Sequence, residues 1–224
     1  MPIFKAKNEN FFKIWTPEMA YVLGFFTADG NMIKNKRGAH FISIEIIDLD
    51  ILEKIREVIG SNHKISIRKK QFPEKDSYRL QVGSKKMFSD LFEMGITPNK
   101  SKRILLPKIP QKYFSHFLRG YFDGDGCINF GTYFRKDRNS VKFLLASHFT
   151  SGSKVFLEGL LNKIREAFNT KTGFIRTKNG AFDLTLSTND SKKLFSLMYG
   201  NIENSLFLER KYNKFRKALS LEDK

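Results

Sequence analysis

Hydrophobic and polar residues in the first half of the chain follow two different periods. Within residues 40–47, isoleucines at 42, 44 and 46 alternate with Ser43 and Glu45, which predicts a strand with one apolar face. Between residues 50 and 59 the apolar side chains recur three or four positions apart, which predicts an amphipathic helix. The predicted elements are strands at 31–35 and 40–47, a helix at 50–59, strands at 63–70 and 78–82, and a helix at 85–94.

The second half repeats this order of predicted elements. The tetrapeptide Lys-Ile-Arg-Glu at 54–57 returns unchanged at 163–166, in the corresponding helix of the second half. Matching order and matching short segments together indicate an internal repeat. The predicted elements are strands at 127–134 and 141–149, a helix at 153–168, strands at 174–178 and 182–187, and helices at 190–198 and 205–219.

The strongest repeat lies in two apolar segments, at 22–30 and 118–126. Aligned without a gap, both read apolar, any residue, Gly, aromatic, Phe, polar, small, Asp, Gly. Each is predicted to form the last turns of a helix, and the first helix has Thr16 as its N-cap and Pro17 at its first position. The glycine that closes each segment stands where a left-handed residue commonly ends a helix.

Small residues recur at helical spacing within both segments. Gly24 and Ala28 lie four positions apart and share one helix face, as do Gly120 and Gly124. Small side chains on one face let two helix backbones approach closely. We therefore expect the two helices to pack against each other through Gly24 and Gly120.

Each of these helices ends in a carboxylate, which the negative end of a helix dipole disfavours. If the helices pack in parallel, Asp29 and Asp125 lie side by side and repel each other unless a cation binds between them. Mg²⁺ fits, because it binds one or two carboxylates and keeps other positions for water and phosphate. A pair of capping aspartates on unrelated helices is the alternative.

The two segments, Val22–Gly30 and Leu118–Gly126, resemble the motif of the LAGLIDADG homing endonucleases, in the single-chain form with two motifs. With the repeated order of elements, the resemblance covers nearly all of residues 12–219. It implies an α+β fold of two pseudo-symmetric αββαββα halves packed through the motif helices, each half with a curved antiparallel sheet that forms part of a DNA-binding saddle. The implied division is an N-terminal half at 1–106, a linker at 107–112 and a C-terminal half at 113–224.

The resemblance also implies an activity, namely site-specific double-strand cleavage of DNA. Phosphodiester bonds would be hydrolysed across the minor groove of a long, non-palindromic target by a monomer. In the family the acidic residue before the final glycine binds the catalytic metal, which here means Asp29 and Asp125, and the carbonyls of Ala28 and Gly124 are implied as further ligands. Mg²⁺ is the expected cofactor, Mn²⁺ is expected to substitute for it, and Ca²⁺ is expected to allow binding without cleavage.

Two further features of the family have counterparts in this chain. The family's earlier acidic position is Asp123 in the second motif but Thr27 in the first. A lysine near the scissile phosphates would stabilise developing charge. Lys100 corresponds loosely to the family's catalytic lysine, and Lys211 is a weaker counterpart in the second half.

The charge of the chain points to a polyanionic partner. The formal net charge is +17, from 40 Lys+Arg against 23 Asp+Glu, and the excess is spread along the whole chain. An antiparallel ribbon fits the major groove, where Glu45 could accept a hydrogen bond from cytosine N4. The candidate DNA-contacting residues are Ser43, Glu45, Arg68, Lys70, Arg79 and Gln81 in the first half, and Asn129, Tyr133, Arg135, Lys142, His148, Arg176 and Lys178 in the second.

Other functions are less well supported by the sequence. A non-cleaving nucleic-acid binder on the same scaffold, such as an intron maturase or a transcription regulator, is the main alternative. Met1 and Lys224 are not the flanking residues of protein splicing, so we expect a free-standing protein rather than an intein-borne one. No segment approaches the ~18 consecutive apolar residues of a membrane span. The single cysteine agrees with a reducing, intracellular compartment. The richness in Phe, Lys, Asn and Ile is typical of an AT-rich genome, so we expect an organelle (mitochondrion or chloroplast) or a microbial cytoplasm.

The two halves differ in length at one place. From Gly30 to Lys54 is 24 positions and from Gly126 to Lys163 is 37, so the second half carries 13 more. The extra residues fall in the first hairpin of that half, within 127–149. They either lengthen both strands or form a flexible loop around residues 136–140.

Overall fold

The protein, in a computed structural model that describes residues 5–222, forms two compact units. Both motif helices belong to the first unit, except for the last residue of the second helix. The predicted division of the chain at residues 107–112 follows the sequence repeat, whereas the compact units follow packing, so that division stays a prediction. The first unit contains the described residues up to Lys100, Pro107–Gly124 and Asn204–Leu206; the second contains Ser101–Leu106, Asp125–Glu203 and the described residues from Phe207 onwards.

Helices and strands of the first unit follow the predicted order, with small changes at their ends. The main difference is that β3 is only four residues long and does not reach residue 70. The elements are α1 (Pro17–Asp29), β1 (Gly30–Lys34), β2 (His40–Ile46), α2 (Leu49–Val58), β3 (Ile65–Arg68), β4 (Ser77–Gly83), α3 (Lys85–Glu93) and α4 (Phe114–Asp125).

The second unit repeats the order of the elements from β1 to α3, and its first two strands are longer. It adds one further helix after the repeated elements. The elements are β5 (Gly126–Arg135), β6 (Ser140–Ser151), α5 (Lys154–Phe168), β7 (Phe174–Lys178), β8 (Ala181–Leu186), α6 (Thr188–Tyr199) and α7 (Glu209–Glu222).

Each unit contains one four-stranded antiparallel sheet. The strand order is β1-β2-β4-β3 in the first and β5-β6-β8-β7 in the second, so the topology repeats. In the first sheet Ile42 pairs with Val82 and Ile44 with Leu80, and these buried residues form the face that packs on the helices. The opposite face of each sheet carries the polar residues. The predicted α+β fold with two halves of repeated topology is confirmed.

Helices α1 and α4 run parallel and touch through their backbones. A Cβ built on Gly24 would overlap the carbonyl oxygen of Phe117, and one on Gly120 would overlap that of Tyr21. Nearer the C-terminal ends, a Cβ on Gly124 would overlap the side chain of Ala28. No side chain larger than hydrogen fits at these three glycines, and the expected packing through Gly24 and Gly120 is present.

The ends of α1 agree only in part with the sequence prediction. Thr16 is the N-cap, and its side chain accepts a hydrogen bond from the backbone N–H of Met19 at 3.1 Å. Gly30, however, has φ −77° and ψ 148°, so the expected left-handed conformation is wrong. The chain passes directly from α1 into the extended strand β1. Glycine is needed there for space, because a Cβ would overlap Phe26.

The first hairpin of the second unit is a long, regular ribbon. Strands β5 and β6 contain 10 and 12 residues, against 5 and 7 in β1 and β2. The pairing is continuous from Gly126 opposite Phe149 to Arg135 opposite Ser140. The extra residues therefore lengthen both strands, and the flexible-loop alternative is wrong.

Within residues 5–222, no helix has the length and apolar character that crossing a membrane requires.

The α1–α4 contact leads to a prediction about stability. We expect Gly120→Ala to lower the free energy of unfolding by about 1–3 kcal/mol, because the added methyl group forces the two helix backbones apart. The steric cost should therefore outweigh the ~1 kcal/mol by which alanine normally stabilises a helix relative to glycine. Urea-induced unfolding measures the difference.

The matched control is Gly131→Ala in β5, where a Cβ meets nothing within 4 Å. This variant should be as stable as the wild type or more stable by up to about 1 kcal/mol, because alanine has less conformational freedom to lose on folding than glycine. A Gly120→Ala variant as stable as Gly131→Ala would contradict the close helix contact.

Candidate metal centre and nucleic-acid interface

Each motif helix ends in an aspartate that solvent can reach. Asp29 at the end of α1 is half-buried, and Asp125 at the end of α4 is exposed. Within the first unit, Asp29 Oδ2 lies 3.1 Å from the position that a Cβ on Gly124 would occupy. The first carboxylate therefore lies against the backbone of the second motif, at the residue before Asp125.

A buried lysine donates to the backbone at the end of each motif. Lys100 Nζ lies 2.7 Å from the carbonyl oxygen of Gly30 and 3.3 Å from that of Ala28. In the second unit, Lys211 Nζ lies 2.7 Å from the carbonyl oxygen of Gly126. Both lysines are only 8% exposed. Each unit thus holds an ammonium group at the glycine that follows its motif aspartate, which brings Lys100 and Lys211 into equivalent positions.

The earlier acidic position of the motif faces the interior of the first unit. Asp123 is completely buried and accepts a hydrogen bond from the Tyr21 hydroxyl at 2.8 Å. Thr27, its counterpart in α1, is also buried and donates to the carbonyl oxygen of Leu23 at 2.7 Å. Both side chains therefore contribute to packing in the interior, away from the solvent-accessible helix ends.

The donor atoms at the helix ends suit a hard divalent cation that retains most of its water. The end of α1 offers the Asp29 carboxylate and the Ala28 carbonyl, and the end of α4 offers the Asp125 carboxylate and the Gly124 carbonyl. Among the described residues, no group of three or more His, Cys, Asp or Glu side chains could hold a metal. A closed zinc-type site would need such a group, whereas Mg²⁺ binds through one or two carboxylates plus water and phosphate. The residues present therefore fit Mg²⁺.

On the first sheet, five of the six candidate DNA-contacting residues share the polar face. Ser43 pairs with Gln81, Glu45 with Arg79, and Arg68 with Ser77, so these side chains point to one side. The sixth candidate, Lys70, lies beyond β3. Its Nζ is 3.0 Å from Glu74 Oε2, within the loop that follows the strand.

Glu45 has partners on its own sheet. The Ser77 hydroxyl donates to Glu45 Oε1 at 2.7 Å, and Arg68 Nε lies 3.3 Å from Glu45 Oε2. Beside them, Arg79 donates to the side-chain oxygen of Gln81. The acidic residue on this basic face is thus stabilised by an arginine and a serine of the chain itself.

On the second sheet, all seven candidates share one face. The pairs Cys127–His148, His148–Thr185 and Arg176–Asp183 fix the register across the four strands. The residues on this face are Asn129, Tyr133 and Arg135 on β5, Lys142 and His148 on β6, and Arg176 and Lys178 on β7.

Asp183, which the sequence analysis missed, connects several of these residues. It is completely buried, and its Oδ2 lies 3.0 Å from His148 Nδ1 and 3.0 Å from Arg176 Nη2. The Thr150 hydroxyl donates to Oδ1 at 3.3 Å. Burial alone would raise the pKa of the Asp183 carboxyl, but the hydrogen bonds from Arg176 and His148 and the charges of His148 and Lys178 together lower that pKa. The alternation of Asp183 and Thr185 with apolar residues on β8 was the signal that could have revealed it.

Two family models match the chain, one in each half. A LAGLIDADG-like domain matches residues 16–94, and a LAGLIDADG endonuclease domain matches residues 118–220.

Two proteins of Methanocaldococcus jannaschii are similar to parts of the chain. An uncharacterized protein is 27% identical over 117 residues, which is 50% of this chain and 40% of that protein. The DNA-directed RNA polymerase subunit Rpo1C is 28% identical over 166 residues, or 72% of this chain and 17% of that subunit. The chain therefore spans less than half the length of either relative.

Solved structures of meganucleases share the fold over almost the whole chain. I-AabMI bound to uncleaved DNA is 16% identical, with a TM-score of 0.62 over 93% of this chain and 91% of that one. I-LtrWI bound to target DNA is 14% identical, with a TM-score of 0.62 over 96% and 92%. I-SmaMI bound to an uncleaved DNA target in the presence of calcium ions is also 14% identical, with a TM-score of 0.60 over 93% and 91%. With a matching domain model in each half and this shared fold, the chain belongs to the LAGLIDADG endonuclease family, in its single-chain form with two LAGLIDADG domains.

Proposed function

We propose that the protein is a site-specific endonuclease that cuts both strands of a long, non-palindromic DNA target and depends on a divalent metal, Mg²⁺ in preference to others. It acts as a monomer, since one chain already carries two motifs. The DNA-bound state of the similar meganucleases supports DNA as the partner.

One observation carries this proposal. Each of the two motif helices ends in an aspartate that solvent can reach, and the glycine after it accepts a hydrogen bond from a buried lysine. An ordinary structural helix end needs neither a carboxylate nor a buried ammonium group, because the helix dipole disfavours the first and desolvation disfavours the second. Both features recur in the two halves, as expected if each half acts on one strand.

The metal would be held by Asp29 and Asp125, with the carbonyl groups of Ala28 and Gly124 as further donors. A bound divalent cation supplies Lewis-acid activation of water and stabilises the charge that develops on the phosphate and leaving oxygens. The carboxylate and carbonyl oxygens that would bind the metal lie at the C-terminal ends of the helices. The partial negative charge of the helix dipole at these ends also favours a cation.

Lys100 and Lys211 act as the positive groups beside each scissile phosphate. Their hydrogen bonds to Gly30 and Gly126 fix each ammonium group against the end of its motif. A fixed ammonium group needs little reorganisation as charge develops on the phosphate, so it stabilises the transition state more than a flexible surface lysine does.

A non-cleaving nucleic-acid binder, such as an intron maturase or a transcription regulator, remains the second candidate. The polar sheet faces would serve such a protein equally well, because base and phosphate contacts need no catalytic metal. The motif aspartates distinguish the two, since a binder has no need to keep a carboxylate at each helix end.

The proposed metal ligands lead to a direct prediction. Asp29→Asn and Asp125→Asn should each reduce double-strand cleavage at least about a hundredfold, by analogy with the loss of a single catalytic group. Binding to the same DNA, measured by gel shift with Ca²⁺ in place of Mg²⁺, should change little, because the side-chain volume is kept and a negative charge near DNA is removed.

Glu158→Gln is the matched control, because it removes one carboxylate from an exposed Lys154–Glu158 pair on α5. It should cleave at the wild-type rate, and sedimentation should show all of these proteins as monomers. Full cleavage by either aspartate variant would contradict the metal assignment.

The long β5–β6 hairpin makes the proposed footprint asymmetric. Each of its strands is five residues longer than its counterpart in the first unit, 10 against 5 and 12 against 7. Five residues at ~3.3 Å each extend about 16 Å, or about five base pairs at ~3.4 Å per pair. We predict that the half of the target under residues 127–149 extends further from the cut, and that base substitutions there cost about 1–3 kcal/mol each where contacted.

Footprinting tests this asymmetry, with a cleavage reagent attached at residue 137 to orient the complex. The reagent on the otherwise unchanged protein identifies which side of the cut lies under the hairpin. A variant in which residues 131–144 are replaced by a turn as short as that between β1 and β2, footprinted without the reagent, should lose protection on that side alone. Equal protection on both sides of the cut in the wild type would rule out the extended contact.

A further inference from the structure

An arginine on the outer strand of each sheet is held by a carboxylate on the same face. On β3, Arg68 Nε lies 3.3 Å from Glu45 Oε2. On β7, Arg176 Nη2 and Nε lie 3.0 Å and 3.3 Å from Asp183 Oδ2. Strands β3 and β7 occupy the same place in the two strand orders, so the pairing recurs in equivalent parts of the two units.

The carboxylates are themselves held in place. Glu45 accepts a second hydrogen bond from Ser77 at 2.7 Å. Asp183 is bonded to His148 and Thr150 as well, and it is completely buried. The side chains of Arg68 and Arg176, in contrast, are 50% and 53% exposed. Each guanidinium group is therefore anchored from the sheet and presented to solvent.

The anchoring leaves a specific set of donors on each arginine. Guanidinium has five N–H donors in a planar fork, and the carboxylate occupies the Nε side. The other edge, formed by Nη1 and Nη2, carries two parallel N–H groups. That pair matches O6 and N7 of guanine in the major groove, which is the commonest bidentate contact between arginine and a base.

The nearby carboxylate also makes contact with a base more favourable than contact with a phosphate. A negative charge about 3 Å from the guanidinium repels a phosphate, so this arrangement is poor for non-specific backbone binding. Guanine O6 and N7 are neutral acceptors and suffer much less from that charge. An oriented arginine also loses less conformational freedom when it binds.

We propose that Arg68 and Arg176 each recognise a guanine, one in each half of the target, and that Glu45 and Asp183 are positioning residues that orient them. The proposal rests on the proposed binding of DNA through the polar sheet faces, but not on cleavage. It also gives Glu45 a role other than contact with cytosine.

The test uses the full-length Asp29→Asn protein, so that cleavage does not interfere, and a random DNA library in Ca²⁺ from which bound sequences are selected and read. The central variant is Arg176→Lys. Lysine keeps the charge but lacks the fork, so guanine preference at one target position should fall at least about tenfold while overall affinity falls little. Arg68→Lys should do the same at a single position in the opposite half.

Asp183→Asn and Glu45→Gln test the positioning role. Each should weaken guanine preference severalfold at the position that the corresponding arginine variant identifies, with overall affinity unchanged or higher. Glu158→Gln on α5 removes the same charge away from the sheet face, and it should leave the base preferences as they are. If Asp183→Asn does not fold, Glu45→Gln and the two exposed arginines still decide the outcome.

The opposite result would be an unchanged base preference in both arginine variants, which would make these arginines phosphate contacts and overturn the proposal. Loss of all preference in Arg176→Lys, rather than at one position, would also overturn it. If the protein without the Asp29→Asn change binds a specific sequence in Mg²⁺ but does not cleave it, the proposed nuclease activity is refuted and the proposed guanine recognition is not. Absence of any DNA binding would refute both proposals.

Discussion

The close contact between the backbones of α1 and α4 is the constraint on which the rest of the structure depends. Gly24 and Gly120 leave no room for a side chain, so the helices approach until their backbones touch. This contact fixes the two helices in parallel and brings their C-terminal ends to the same level within the first unit. Each of the two helices passes directly into the first strand of its sheet, α1 into β1 and α4 into β5.

The charged groups follow the internal repeat of the chain. At the end of each motif stand a carboxylate and a buried lysine, two groups that a helix end does not require for stability. Further from the motifs, each sheet carries an arginine paired with a carboxylate on its polar face. In the proposed function, the net charge of +17 would supply general attraction to DNA, and these paired groups would supply the fixed geometry that specificity needs.

Much of the fold could be predicted from the sequence, because the two halves of the chain predict the same order of elements independently. The alternation on β2 indicated the correct strand, and the small residues four positions apart in the two motifs indicated the close helix packing. The conformation of Gly30 could not be predicted, since whether a helix ends in a left-handed turn or passes into a strand depends on what the next residues pair with. The lysines before Thr16 suggested a basic arm, but Phe11 and Phe12 in that segment are buried, which depends on tertiary contacts that the sequence does not show. Asp183 could not be identified from the sequence, because a single acidic residue in a strand does not indicate a cluster. Its role depends on His148 and Arg176, which only the fold brings beside it.

We propose that the two motif helices, which pack through Gly24 and Gly120, supply the residues that cut both strands of a specific DNA. The most direct measurement is selection of cleaved molecules from a random double-stranded DNA library with Mg²⁺, followed by sequencing of the cut ends. The account predicts a single long, non-palindromic consensus with cuts at fixed positions on both strands. Cuts scattered without sequence preference, or no cleavage of any sequence in Mg²⁺ or Mn²⁺, would contradict it.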